Sequence, residues 1–424
     1  MAMPDERRDS PPGIDRDDAL RRVRNLPPLR HLSDPEFERL ADATSVESYA
    51  PGADLFRAGR DDKSIFYLLS GLVVITDVEG QSFDVDGGSI ECRYPLAPHP
   101  RTRIKATART LTEYVRFPAE LMQLQRENAG EDITVDEIGE GDERFDNKVL
   151  FDVYHALMSD ELILPTLPDV ALRIREAAND KSASVENVAR VIQADASTAA
   201  YCISIANNAI HAGVAEIDNV LDAVVRMGIQ PTRDVVVAYT IRSLFASKDP
   251  GSKQLMREAW KHSCRIAALS YILARDGARL NAERALLAGL LHDIGVTVLI
   301  NEAGAYPTLL NDPDSFAELC RELSGQIGAT VLRAWNFPEV FPAAALEAEF
   351  FAKPIADRLH LCDVVVLAHI HDQQPAPWSL PAAGLQDLPI QKALQTDDMA
   401  EDYGRVVIEQ ADRELAELTR LFGG

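Results

Sequence analysis

The chain has 424 residues, too many for one hydrophobic core at the usual roughly 100–200 residues per domain. Apolar residues make up 46%, enough to bury cores without disulfides or metals, and a formal charge of −24 opposes a phosphate backbone, so nucleic acid is not the expected partner. Cys92, Cys202, Cys264, Cys320 and Cys362 are scattered, odd in number and form no CxxC pair, which points to reduced thiols in the cytoplasm and away from a disulfide framework or zinc ribbon. The charged, Pro-rich N-terminus carries no apolar secretion signal. The longest apolar stretch, residues 286–300, is short for a bilayer and holds His292 and Asp293 in its middle. A soluble cytoplasmic protein with no membrane partner is expected.

In chain order, residues 1–28 read as a flexible tail. A β-rich segment follows: Phe66 to Ile75 reads as strand, turn at Gly71, strand, and residues 83–90 and 103–117 carry further strand patterns. Gly52, Gly59, Gly71, Gly80, Gly87 and Gly88 punctuate it at turn spacing. Residues 126–150 read as a solvated linker, with nine acidic side chains between Glu127 and Asp146.

From about Phe151 the period becomes helical. Val185, Val188, Ala189 and Ile192 form one apolar stripe. Asn281 is placed to cap a helix running through Leu286 and Leu290 toward a stop at Gly295. Pro354 suits a first helical turn leading to Leu359, Cys362 and Val366. Residues 373–424 read as a Pro-rich segment, irregular to about Pro389, and a last helix from about Glu401 to Leu421. Trp260 and Trp335 read as core anchors, Asn207 and Asn208 as helix terminators, and His369 and His371 as solvated or dipole-compensating residues near a helix end.

The run Leu29-Arg30-His31-Leu32-Ser33, then Tyr49-Ala50-Pro51-Gly52 through Gly59, then Phe66 to Gly71, resembles the cyclic-nucleotide-binding effector domains of Crp/Fnr-type regulators over residues 29–125. The resemblance implies a β-roll with flanking helices. In that family a Glu receives the ribose hydroxyl and an Arg pairs with the cyclic phosphate, beside glycines that let the backbone approach it. Glu91, Arg101 and Thr102 match those positions, but Ile90 replaces the Gly, Arg103 replaces a small residue, and Pro95, Pro98 and Pro100 oppose the short helix. A cyclic nucleotide is therefore not expected as a ligand.

Leu164-Pro165-Thr166-Leu167-Pro168, Ile192 to Asp195, Ile205 to Ala209, Val224 to Gly228 and Ala288-Gly289-Leu290-Leu291-His292-Asp293-Ile294-Gly295 together resemble the HDOD (HD-related output domain) family. The HDOD domain is placed at residues 151–372. The resemblance implies an all-α HD-like bundle, so the chain is expected to be multidomain, a β-roll followed by that bundle. True HD phosphohydrolases hold divalent cations with His, His-Asp and a distant Asp, and the metal activates water against a phosphoryl group. His262, His292, Asp293 and Asp363 are the candidate members here. Val296 stands where active relatives such as the HD-GYP enzymes place Lys, Ser324 where a His is expected, and Ala348-Glu349 where a His pair is expected.

The expected function is a signal-transduction adaptor. A sensor-like β-roll is coupled to a non-catalytic HDOD module that binds protein partners, with no catalytic residue and no cofactor. The alternatives are a metal-dependent phosphohydrolase acting on nucleotides or cyclic dinucleotides with manganese, iron or magnesium on the quartet, and a cyclic-nucleotide-responsive regulator.

Overall fold

The computed structural model describes residues 14–26, 29, 34–56, 64–77, 82–88, 92, 95–96, 104–118, 153, 156–157, 162–180, 183–207, 216–247, 249–304, 306, 309–310, 312–349, 359–372 and 374–379. The chain divides into two compact units, Met1–Leu162 and Ile163–Gly424.

The first unit opens with α1 (Arg16–Arg24), inside the stretch expected to be a tail. Ala19, Leu20 and Val23 fall on one face and are buried, which gives this segment a reason to fold. After α2 (Asp34–Asp42) come β1 (Ser45–Tyr49), β2 (Asp54–Phe56), β3 (Ser64–Ser70), β4 (Leu72–Asp77), β5 (Ser82–Asp86), β6 (Ile104–Ala108) and β7 (Thr112–Pro118). They form two antiparallel sheets, ordered β1-β7-β3 and β2-β6-β4-β5. Gly71 turns β3 into β4 at φ +94°, and a Cβ there would stand 2.4 Å from the Leu111 carbonyl oxygen.

The strand expected over residues 103–117 is two strands. Arg109 and Thr110 form the break, and the Thr110 hydroxyl accepts from the Leu72 N–H at 2.8 Å. Phe56, Phe66, Leu68, Val73, Ile75, Val85 and Tyr114 fill a common core. Alternation along each strand puts these side chains on the inner faces.

The second unit is helical among its described residues: α3 (Asp169–Asn179), α4 (Val185–Gln193), α5 (Ala196–Ala206), α6 (Val220–Met227), α7 (Ile229–Ile241), α8 (Pro250–Ile272), α9 (Ala282–Leu291), α10 (Ile294–Ala303), α11 (Pro313–Ala334), α12 (Val340–Glu347) and α13 (Leu361–His371). Side chains of Ser184, Asp195, Asn219, Asp249, Asn281 and Asp312 each accept from a backbone N–H at a helix start. The α4 stripe buries Val188, Ala189 and Ile192 as its period requires. Asn207 ends α5 and bonds Ile217 both ways, its amide donating at 2.6 Å and its carbonyl accepting at 2.9 Å. Trp335 Nε1 donates to the Pro165 carbonyl at 2.8 Å and Arg175 donates to the Trp335 carbonyl at 2.6 Å, so the Leu-Pro-Thr-Leu-Pro segment is fastened to the end of α11.

Two helix boundaries depart from the sequence reading. Gly295 does not stop a helix. It lies in the first turn of α10, where a Cβ would stand 2.0 Å from the Ser324 carbonyl oxygen, so its smallness lets α10 lie against α11. The helix that holds Cys362 and Val366 starts at Leu361 and leaves Leu359 out, because His360 is extended at φ −107°, ψ 172°; Pro354 lies outside the described residues. The stretch Ala282–Ala303 is long and apolar enough to cross a membrane, but 89% of its most apolar window is buried inside the protein, as in a core helix. The expected linker and the expected last helix lie outside the described residues.

Candidate functional site: a buried histidine–aspartate cluster

His262 projects from the middle of α8, His292 and Asp293 lie at the α9–α10 junction, and His369 and Asp372 come from the end of α13. Helix α8 packs against both α9 and α13, which brings the three sources together. Adjacent residues on one helix diverge by about 100°. The junction removes that conflict for His292 and Asp293: Asp293 sits at φ −102°, ψ 19°, outside helical geometry, so both side chains turn to the same interior.

The imidazoles of His262 and His292, 5.2 Å apart between ring centroids, and of His292 and His369, 4.6 Å apart, meet edge to face, and those of His262 and His369 are tilted at 5.1 Å. One carboxylate oxygen, Asp293 Oδ2, stands beside two of them. It lies 3.6 Å from His262 Nε2 and 3.5 Å from His292 Nε2, and it accepts from Trp378 Nε1 at 3.0 Å. On the far side His262 Nδ1 lies 3.3 Å from Asp372 Oδ2, and Asp372 in turn receives Arg265 Nε at 3.2 Å. His292 Nδ1 is 2.7 Å from the Gly289 carbonyl oxygen. A carbonyl only accepts, so Nδ1 carries the proton and Nε2 presents its lone pair in the neutral ring.

Burial sets the electrostatics. It drives the His262 pKa down against the pull of Asp372 and Asp293, and it drives His369 well down, with the neighbouring imidazoles adding to the effect. Burial opposes protonation of His292 too, but Asp293 and the Gly289 carbonyl outweigh it and the pKa rises. Burial likewise opposes the Asp293 carboxylate, yet the three histidines hold its pKa far below the usual range; Asp372, bonded to His262 and Arg265, is lowered to about 2.

The cluster corrects the expected quartet. His262, His292 and Asp293 come together, whereas Asp363 does not join them. It lies with Glu347 and Cys362, and its Oδ2 accepts from the His360 N–H at 2.7 Å, capping α13. Six residues separate Asp363 from His369, which places them about 120° apart around the helix, so they face different neighbours. His369, expected to be solvated, is 5% exposed and takes the inward place. Trp378, in the segment expected to be irregular, is 2% exposed and covers Asp293. Its only sequence signal is a large aromatic amid prolines. Val296, at the position of the missing Lys, is buried. Glu91, Arg101 and Thr102 lie outside the described residues.

Nε2 of His262, His292 and His369 has no hydrogen-bond partner among the described residues, although all three are buried. Such atoms are costly unless something binds them. One ring nitrogen from each histidine lies within 4.8 Å of the others, so the donor set fits a divalent ion. Imidazole suits zinc, iron, cobalt or nickel better than magnesium.

The HDOD domain family matches residues 164–349, which contain His262, His292, Asp293 and the α8–α10 frame just described. This stretch is an HDOD domain. A phosphohydrolase of Shewanella amazonensis SB2B, named provisionally as metal-dependent, has a solved structure similar to this chain. It is 24% identical with a TM-score of 0.54, and the likeness covers 65% of this chain and 99% of that one. At that identity it shows the fold. An uncharacterized protein of Treponema pallidum (strain Nichols) is 24% identical over 188 residues, 42% of this chain, and the match spans 36% of that relative's length. The strand-rich part is similar to the sensor domain of the transcriptional regulator DNR from Pseudomonas aeruginosa, at 19% identity and a TM-score of 0.23, covering 26% of this chain and 80% of that one.

Proposed function

We propose that this chain is a cytoplasmic signal-transduction adaptor whose HDOD domain binds a protein partner and does not hydrolyse phosphate esters. One observation carries the reading: the histidine–aspartate cluster is sealed. His262 and His292 have almost no exposed surface, and Trp378 lies on the carboxylate that a substrate or activated water would have to approach. Leu221 and Val225, one turn apart on α6, are 38% and 65% exposed and offer apolar surface for a partner. All five cysteines are buried and none is joined in a disulfide, in keeping with a reducing compartment.

The test is turnover by the full-length protein with manganese, iron or magnesium, using a cyclic dinucleotide and a generic phosphodiester. No hydrolysis above the metal blank is expected. A photo-crosslinker at Val225 is expected to capture a discrete protein in cells. Hydrolysis that Asp293→Ala abolishes would overturn the reading in favour of the second one, a metal-dependent phosphohydrolase. The convergent lone pairs of the three imidazoles favour that alternative, and it requires Trp378 to move aside.

A further inference from the structure

We propose that His262, His292, His369 and Asp293 hold one divalent transition-metal ion in a closed, four-ligand structural site beneath Trp378. The ion would fasten α13 to α8 and to the α9–α10 junction. This inference is independent of which partner the HDOD domain binds.

The donors are in place. A tetrahedral ion with bonds of about 2.0–2.1 Å sets its ligands roughly 3.3 Å apart. The distances from Asp293 Oδ2 to His262 Nε2 and His292 Nε2, 3.6 and 3.5 Å, are already near that edge. His369 supplies the third ring nitrogen, within 4.8 Å of those of His262 and His292, and Asp293 adds its oxygen beside the latter two.

The chemistry also selects the occupant. Three buried Nε2 atoms lack hydrogen bonds, a ring nitrogen of each histidine lies within 4.8 Å of the others, and one cation would satisfy the group together. The Gly289 carbonyl fixes the His292 tautomer with its Nε2 lone pair free, as the outer partner of a metal-bound imidazole does. Three nitrogens and one carboxylate oxygen fit zinc, cobalt, nickel or ferrous iron, whereas magnesium and calcium take oxygen ligands. Four protein donors leave no coordination position for substrate, and the indole covers the carboxylate from outside. The site is thus structural. Its fourth ligand is His369, not Asp363, which caps α13.

The test uses full-length protein stripped by a chelator and titrated with Co(II), then with Zn(II) as competitor. One equivalent is expected, with the intense visible bands of tetrahedral cobalt, quenching of tryptophan emission, displacement by zinc and a raised melting temperature. His369→Leu is expected to weaken cobalt binding on the order of 100-fold or more, since loss of an outer partner alone costs about 10–100-fold. It should also remove the metal-dependent rise in melting temperature. The same variant should leave the metal-free melting temperature unchanged or higher, because it deletes an unbonded buried nitrogen. His371→Ala is expected to bind as the wild type does. Absence of cobalt binding, weak octahedral bands, binding unaffected by His369→Leu, or a lowered metal-free melting temperature in that variant each overturns the proposal. Should His369→Leu fail to fold, X-ray absorption of the zinc-loaded wild type decides. Three imidazoles and one oxygen are expected, and a sulfur ligand or fewer imidazoles overturns it.

Discussion

Among the described residues the interior of the strand-rich unit is mostly apolar, with hydroxyls such as those of Thr44, Thr112 and Tyr114 hydrogen-bonded, whereas the centre of the helical unit holds buried imidazole nitrogens without hydrogen-bond partners. In the first, Phe56, Phe66 and Tyr114 pack with ring centroids 5.3–5.4 Å apart, and Tyr114 Oη donates to Glu47 Oε2 at 2.8 Å. In the second, three imidazoles and two carboxylates occupy positions where apolar side chains would pack without cost. The contrast teaches that the two cores answer to different demands. One is accounted for by burial alone. The other keeps buried nitrogens that no hydrogen bond satisfies, which burial alone does not account for.

The comparison breaks first at its apolar end. Phe66→Ala is expected to cost about 3–5 kcal/mol. All three tryptophans, Trp260, Trp335 and Trp378, belong to the second unit. Denaturation of the variant followed by circular dichroism should therefore shift while tryptophan emission keeps its midpoint. A matching shift in emission would mean that the units do not fold independently.

Gly295→Ala tests the frame around the cluster. Its Cβ would meet the Ser324 carbonyl oxygen at 2.0 Å, and separating α10 from α11 should cost about 3 kcal/mol, now visible in tryptophan emission.

Asp293→Ala probes the polar centre. It strands the Trp378 N–H and should cost the metal-free protein about 1–3 kcal/mol while altering Trp378 emission. Asp363→Ala should cost about 1 kcal/mol and leave that emission unchanged, because Asp363 caps α13 away from the cluster.

The smallest effect is local. Asp195 caps α5 through Thr198 N at 2.7 Å, and Asp195→Ala should cost about 1 kcal/mol in urea denaturation. Hydrogen bonds from Ser197 and Thr198 lower the Asp195 pKa to about 2. A folded-state pKa below the unfolded one means the contribution is complete above about pH 4 and fades as pH falls toward 2. The difference between wild type and variant should shrink over that window.

How much was legible follows from how far each signal reaches along the chain. The Asn281 cap and the Gly71 turn depend on neighbours within four residues or on one backbone angle, and both appear where the sequence placed them. The α4 stripe is likewise a local period read against one buried side. Gly295 misled because the same residue serves either a helix stop or a close helix crossing, and the second depends on Ser324, far along the chain.

The sequence by itself determined the helical character of the second half, its HDOD resemblance and three members of the cluster, since His262, His292 and Asp293 sit in recognisable local patterns. Only the tertiary structure decided the rest. It chose His369 over Asp363, a matter of which face of α13 meets α8 and α9. It also brought Trp378 onto Asp293 across 85 residues of chain. Such contacts are fixed by the packing of whole helices, whose sum no short window of sequence contains.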